Sequence, residues 1–224
     1  MKQEIGAFCL RHNLRYDGRS TWTAAHIQWL RGLKPEGLYQ EILEEYLLTL
    51  STLMDKIERL DRRIEELAAM DEYREKTKQL SCFLGIKTHT ALAAIVETGD
   101  FKRFASAEKY ASYLGPVPGE DSSGDNRARL CITKAGNSHV RRLLVEAAQS
   151  YGRGRAGYKS KALKVRQTGN TPEVIAYADK ANERLRRKYY RMVLSHRKSP
   201  NVAKVAIARE LSCFILGMMT GNIA

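Results

Sequence analysis

Apolar residues recur along this chain at the three- and four-residue steps of amphipathic helices, and no stretch reads as the core of a sheet. The clearest run is Leu43, Tyr46, Leu50, Leu53, Ile57, Leu60, Ile64 and Leu67, in which steps of three and four alternate without a failure. No glycine or proline interrupts from Leu38 to Met70, and the positions between carry charges such as Glu44, Asp55, Arg59 and Glu65. This is the seam of a coiled coil. A long helix packed within its own chain would also use such a stripe, but the strictness of the seam favours pairing, either between two chains or as an intramolecular hairpin.

Ahead of the seam, "YDGRS" breaks two helical runs. Ile5, Phe8 and Cys9 fall in register on the first, and Thr21 is a candidate cap for a second carrying Trp22, His26, Trp29 and Leu30. Because Met1 already lies inside an amphipathic pattern, the chain is expected to start within a larger architecture. After the seam, Gly85 and Ile86 separate two apolar helical runs, with Thr88 as cap of the second. This resembles a helix-hairpin-helix element, whose backbone amides at a helix amino terminus hold a phosphate. Lys87 stands where such hairpins carry a second glycine, so a structural helical corner remains open as the other reading. Gly115 to Asn126 is a long loop rich in breakers, "GPVPGEDSSGDN". Asn137 or Ser138 then caps "SHVRRLLVEAAQSYGR", and two or three further helices follow, the last capped by Ser199 with Pro200 in its first turn. The expected fold class is all-α, divided into a helical segment over 1–37, a coiled coil over 38–70 and a helical domain over 80–224.

Charge narrows the function. Lysine and arginine number 38 against 25 acidic residues among 224, a formal charge of +13 with a pI near 9.7, which draws polyanions and makes nucleic acid the leading partner. A coiled-coil adaptor binding only protein fits this charge poorly. No lipidation signal or basic amphipathic membrane helix is present, the stretch "LSCFILGMM" is too short to span a bilayer, and the expected location is the cytoplasm. Four dispersed cysteines without CxxC and five histidines without HxxxH signal neither a disulfide framework nor a zinc site, so no metal ligands are assigned.

The densest chemistry lies in "GEDSSGDNRARLCITKAGNSHVRR". Serine chemistry on a phosphodiester needs a presented hydroxyl, cations around the crowded transition state, and help removing a proton. Ser122 and Ser123 precede Gly124, and Arg127, Arg129, Lys134, Arg141 and Arg142 follow, with Asn137 at the helix start. Arg153 and Arg155 extend the basic stretch beyond that helix. These residues compose a phosphate-binding constellation, although a solvated loop leading into a capped helix would look the same.

Three segments, "FCLRHNLRYDGRSTWTAAHIQWL", "FLGIKTHTALAAIVETGDFKRFASAEKYASYLGPVPGEDSSGDNRARLCITKAGNSHVRRLLVEAA" and "AKVAIARELSCFILGMM", together resemble the carboxy-terminal part of transposases of the insertion-sequence one-ten family, with its one-sixteen and nine-oh-two relatives. The resemblance implies a DNA recombinase with a RuvC-like amino-terminal domain bearing acidic Mg²⁺ ligands, a coiled-coil stalk, and a carboxy-terminal domain with a serine nucleophile, directed by a guide RNA. The family serine maps onto Ser123, with Ser122 as the adjacent alternative. Gly85, Lys87, Arg127, Arg129, Lys134, Asn137, Arg141, Arg142, Arg153 and Arg155 are the expected nucleic-acid contacts. DNA, a guide RNA and a second copy through the coiled coil are the implied partners, and no cofactor is assigned to this chain itself. Since the sequence begins downstream of the acidic domain, the isolated chain is expected to be inactive, and a nucleic-acid-binding remnant is the alternative reading.

Overall fold

The computed structural model describes residues 1–123, 126–133, 135–155 and 157–223, with backbone alone at 118, 120–123 and 126–131. The chain is all-α with one added hairpin. It divides into a first unit, Met1–Arg63, and a second beginning at Ile64.

In the first unit, α1 (Lys2–Arg11) buries Ile5, Phe8 and Cys9, α2 (Ala24–Gly32) buries His26 and Leu30, and α3 begins at Leu38 and continues to Ala68. The cap of α2 is Thr23, whose hydroxyl accepts from the His26 amide at 3.3 Å, rather than Thr21. Trp22 explains the difference. It sits before the helix in the left-handed region, at φ 64°, and its amide donates to His26 Nδ1 at 3.0 Å, so the helix opens two residues later than the sequence suggests.

The seam on α3 has two fates. Leu43 and Leu50 join Ile5, Phe8, Cys9 and Leu30 in one core, with Tyr46 packed against it. Leu53, Ile57 and Leu60 are 43%, 58% and 49% exposed, so within its own unit the chain covers only the start of the seam.

The second unit is built around α10 (Pro200–Thr220), which buries Ala203, Ile207, Leu211, Ile215 and Leu216. Against it pack α4 (Asp71–Leu80), α6 (Ala107–Leu114), α7 (Ser138–Ala148) and α9 (Pro172–Tyr190). Helix α5 (Thr88–Thr98) rests on α4 and α7, and the short α8 (Lys161–Gln167) on α4. As the sequence implied, Ser199 caps α10, accepting from the Val202 amide at 3.3 Å, with Pro200 in the first turn. Thr88, expected as a cap, is instead the first helical residue of α5. Lys87 holds the cap position without a side-chain bond to the helix.

The stretch read as a loop is a β-hairpin. Strand β1 (Pro118–Ser123) pairs antiparallel with β2 (Asn126–Ile132), with an irregularity between Pro118 and Glu120. Its first strand gives no signal, because β1, "PGEDSS", contains no large apolar residue to alternate.

The two fates of the seam can be measured. Leu50→Ala should destabilise the first unit by about 2–5 kcal/mol, whereas Ile57→Ala in the dilute monomer should stay within about 0.5 kcal/mol. Both tryptophans, Trp22 and Trp29, pack against the first unit's core, so their fluorescence during urea unfolding reads that unit selectively.

Candidate functional site: a serine hairpin and its root

The hairpin carries both candidate serines at the end of β1. Its register sets Ser122 opposite Arg127, Ser123 opposite Asn126 and Glu120 opposite Arg129. Gly124, Asp125 and Lys134 lie outside the described residues.

The root of the hairpin is a tight backbone crossing between the end of α6 and the approach to α7. A Cβ on Gly115 would fall 2.0 Å from the Ala135 carbonyl oxygen, and one on Gly136 would fall 1.8 Å from that of Tyr113. Both glycines also have φ of 80°, a conformation that side chains resist, so only glycine fits at either place. The Asn137 amide donates to Tyr113 O at 3.1 Å, and the Thr133 amide to Val117 O at 2.9 Å.

Arg141 closes this crossing. From the first turns of α7 its Nη1 donates to Leu114 O at 2.9 Å and to Ala135 O at 3.2 Å, tying the last turn of α6 to the segment after β2. Asn137 is equally committed: its Oδ1 caps α7 by accepting from the Val140 amide at 2.9 Å, while its Nδ2 donates to Glu97 Oε2 at 2.8 Å. Glu97, at the end of α5, also bonds His139 Nδ1 through Oε1, and its carbonyl accepts from the Tyr113 hydroxyl at 3.1 Å. Partial burial works against the charge of Glu97, but the bonds from His139 and Asn137 outweigh it and hold the carboxyl below its ordinary range. Glu97 escaped the sequence reading because its partners lie forty residues away and no local spacing links them.

The remaining expected contacts divide in the same way between committed and free groups. Gly85, at φ 85°, brings its backbone onto α7, where a Cβ would meet Ala147 O at 2.3 Å. The demand for glycine there therefore comes from helix packing. Lys87 and Arg142 are exposed, and Arg142 makes a long contact to Glu146 at 3.9 Å. Arg153 and Arg155 are exposed on the loop after α7. Among the described residues no three His, Cys, Asp or Glu side chains converge on a point that could hold a metal, so the Mg²⁺ implied by the family resemblance has no donor set in them. No helix among them is long and apolar enough to cross a membrane.

The second unit is thus a helical body that presents a serine-bearing hairpin on a tightly packed root. Residues 77–163, which enclose the hairpin and its root, match the Transposase IS116/IS110/IS902 family. Over 215 residues the chain is 33% identical to y4qE of Sinorhizobium fredii (strain NBRC 101917 / NGR234), a protein named as a transposase, covering 96% of this chain and 51% of that one. The transposase for insertion sequence element IS1533 of Leptospira borgpetersenii is 27% identical across 84% of this chain and 55% of its own length. The transposase for IS1328 of Yersinia enterocolitica is 32% identical across 44% and 29%. The chain belongs to the IS116/IS110/IS902 family of transposases, and it spans about half the length of the first two of these relatives.

Two neighbouring arginines separate anchoring from surface charge. Arg141→Ala leaves two carbonyls without their charged donor and should cost about 1.5–3 kcal/mol, while Arg142→Ala should stay within about 0.5 kcal/mol, as read by thermal unfolding. For Glu97 the folded value is depressed, so its stabilising contribution is present above the ordinary carboxylate pKa and fades as pH falls through the lower folded value. Glu97→Gln should therefore flatten the acid limb of the stability profile below about pH 4.3, the unperturbed glutamate value.

Proposed function

We propose that this chain is the part of an insertion-element transposase that binds DNA and a guide RNA and supplies a serine nucleophile for strand cleavage and rejoining. The observation that carries the proposal is the rooted hairpin, with two serines at the end of one strand and Arg127 and Arg129 on the other, inside the family-matching segment. In the reaction a serine oxygen bonds to a DNA phosphorus while the phosphorus bond to one bridging oxygen breaks. The serine proton is lost, and the departing oxygen takes up a proton. The phosphodiester energy is kept in the protein–DNA link for rejoining, so no nucleotide cofactor is consumed. Arg127 and Arg129 would spread the charge of that transition state, and Arg142, Arg153, Arg155 and Lys87 would hold backbone phosphates. Such contacts release counterions and weaken with salt. Arg141, Asn137 and Gly85 serve the same function indirectly, by holding the hairpin and the α4–α5 turn in place.

The exposed middle of the α3 seam is the proposed surface for a second copy, through Leu53, Ile57 and Leu60. Mg²⁺, which by family resemblance belongs to the acidic domain, would be supplied from there. A protein acting on genomic DNA would work in the cytoplasm.

The test is a denaturing gel of recombination-site DNA incubated with the full-length transposase. Ser123→Ala should abolish the covalent band with DNA binding almost unchanged, and Ser122→Ala should be much milder. Loss with Ser122→Ala alone would move the nucleophile to the position opposite Arg127. A full-length protein that binds DNA but never forms the band would support the binding remnant instead.

A further inference from the structure

Beyond the hairpin, the loop from Gly152 to Ser160 is pinned over α9 by its main chain. Arg186 Nη1 donates to the carbonyls of Arg155 at 2.6 Å and Tyr158 at 3.0 Å, and the Tyr190 hydroxyl donates to Gly154 O at 2.7 Å. Beside the held carbonyls, Arg153 and Arg155 are exposed, and Tyr158 is 64% exposed. An aromatic this open gains little from the fold.

Tyr158 stands beside a cavity of about 130 Å³. Leu84 and Leu163 give it apolar walls, and Lys159, Asp179, Glu183 and Arg186 bring polar groups of both signs. Lys159 pairs with Asp179 at 2.5 Å, so the cavity has no surplus charge to attract a bare phosphate. Arg186 is only 6% exposed, and its Nη1 is already committed to the loop carbonyls, so it shapes the cavity wall as a fixed group. Donors and acceptors together, between apolar walls and beside an open aromatic, match the edge and face of a nucleobase. A cavity of about 150 Å³ takes up one benzene ring, so the size suits a single six-membered ring.

We propose that this cavity receives one unstacked pyrimidine of a single-stranded polynucleotide, stacked on Tyr158, with the flanking phosphates on Arg153 and Arg155. Stacking on an aromatic is tolerant of sequence, and it is how proteins grip strands that are not paired. The inference rests on the nucleic-acid binding proposed above and adds to it a site for one base.

The experiment titrates the chain with labelled pentathymidylate and pentauridylate, with pentaadenylate, with an abasic strand of equal phosphate count, and with a duplex of the same length. The pyrimidine strands should bind about tenfold or more tighter than the abasic strand, and the tighter of the two identifies DNA or RNA as the occupant. Tyr158→Ala should bind base-bearing and abasic strands alike, and Tyr158→Phe should restore the difference. Because Arg186 holds the Tyr158 carbonyl and not its ring, the variant keeps the loop's anchor, and an unchanged melting temperature checks this. Equal binding of abasic and pyrimidine strands by the unmodified chain, a preference for the adenylate or the duplex, or an unaltered Tyr158→Ala protein would overturn the base pocket while leaving salt-sensitive binding intact. Binding of no strand at any salt would overturn both readings.

Discussion

Two stretches of backbone meet at Gly115 and Gly136 with no room for a methyl group, and the placement of the serine hairpin depends on that meeting. A hairpin of two short strands is marginal by itself in water, and β1 brings no large apolar side chain with which to bury itself. Its orientation must therefore be imposed at the base. The crossing does this geometrically, and Arg141 does it electrostatically by spanning the two carbonyls. Side chains from α5 and α7 complete the clasp through Glu97, Asn137 and His139.

The helical body makes such a clasp worthwhile. α10 is surrounded by α6, α7 and α9, so the two helices between which the hairpin emerges are fixed to the same buried post. The free energy of that body comes from burying residues such as Leu144, Leu211 and Ile215, and it keeps α6 and α7 from separating under load. A reactive loop on a rigid scaffold is a common division of labour in proteins.

How much of this could be read from the sequence depended on whether the deciding partner was local. The extent of α3, the Ser199 cap, a cap at Asn137 or Ser138 and the buried face of α1 are set by neighbours within a few residues, and they were legible. The hairpin was not, because β1 is polar throughout and its glycine, aspartate and serines read as turn formers. Arg141 and Arg142 are adjacent and chemically identical, yet one turns inward to two carbonyls and the other faces water. Their charge alone could not tell them apart. Glu97 and Tyr158 carried no signal at all, since what makes each notable is a partner or a cavity assembled from distant segments.

The uneven covering of α3 also leaves part of the molecule sensitive to whatever surface comes to lie along it. A helix of 31 residues is roughly 46 Å long at 1.5 Å per residue, and past Leu50 the exposed residues Leu53, Ile57 and Leu60 have no core of the first unit beneath them. That stretch rests on its helix-favouring residues and on any surface that comes to lie along it, and whatever binds the folded form stabilises it by mass action. A rise in the concentration of such a surface would firm up the stalk before it altered the body that carries the hairpin.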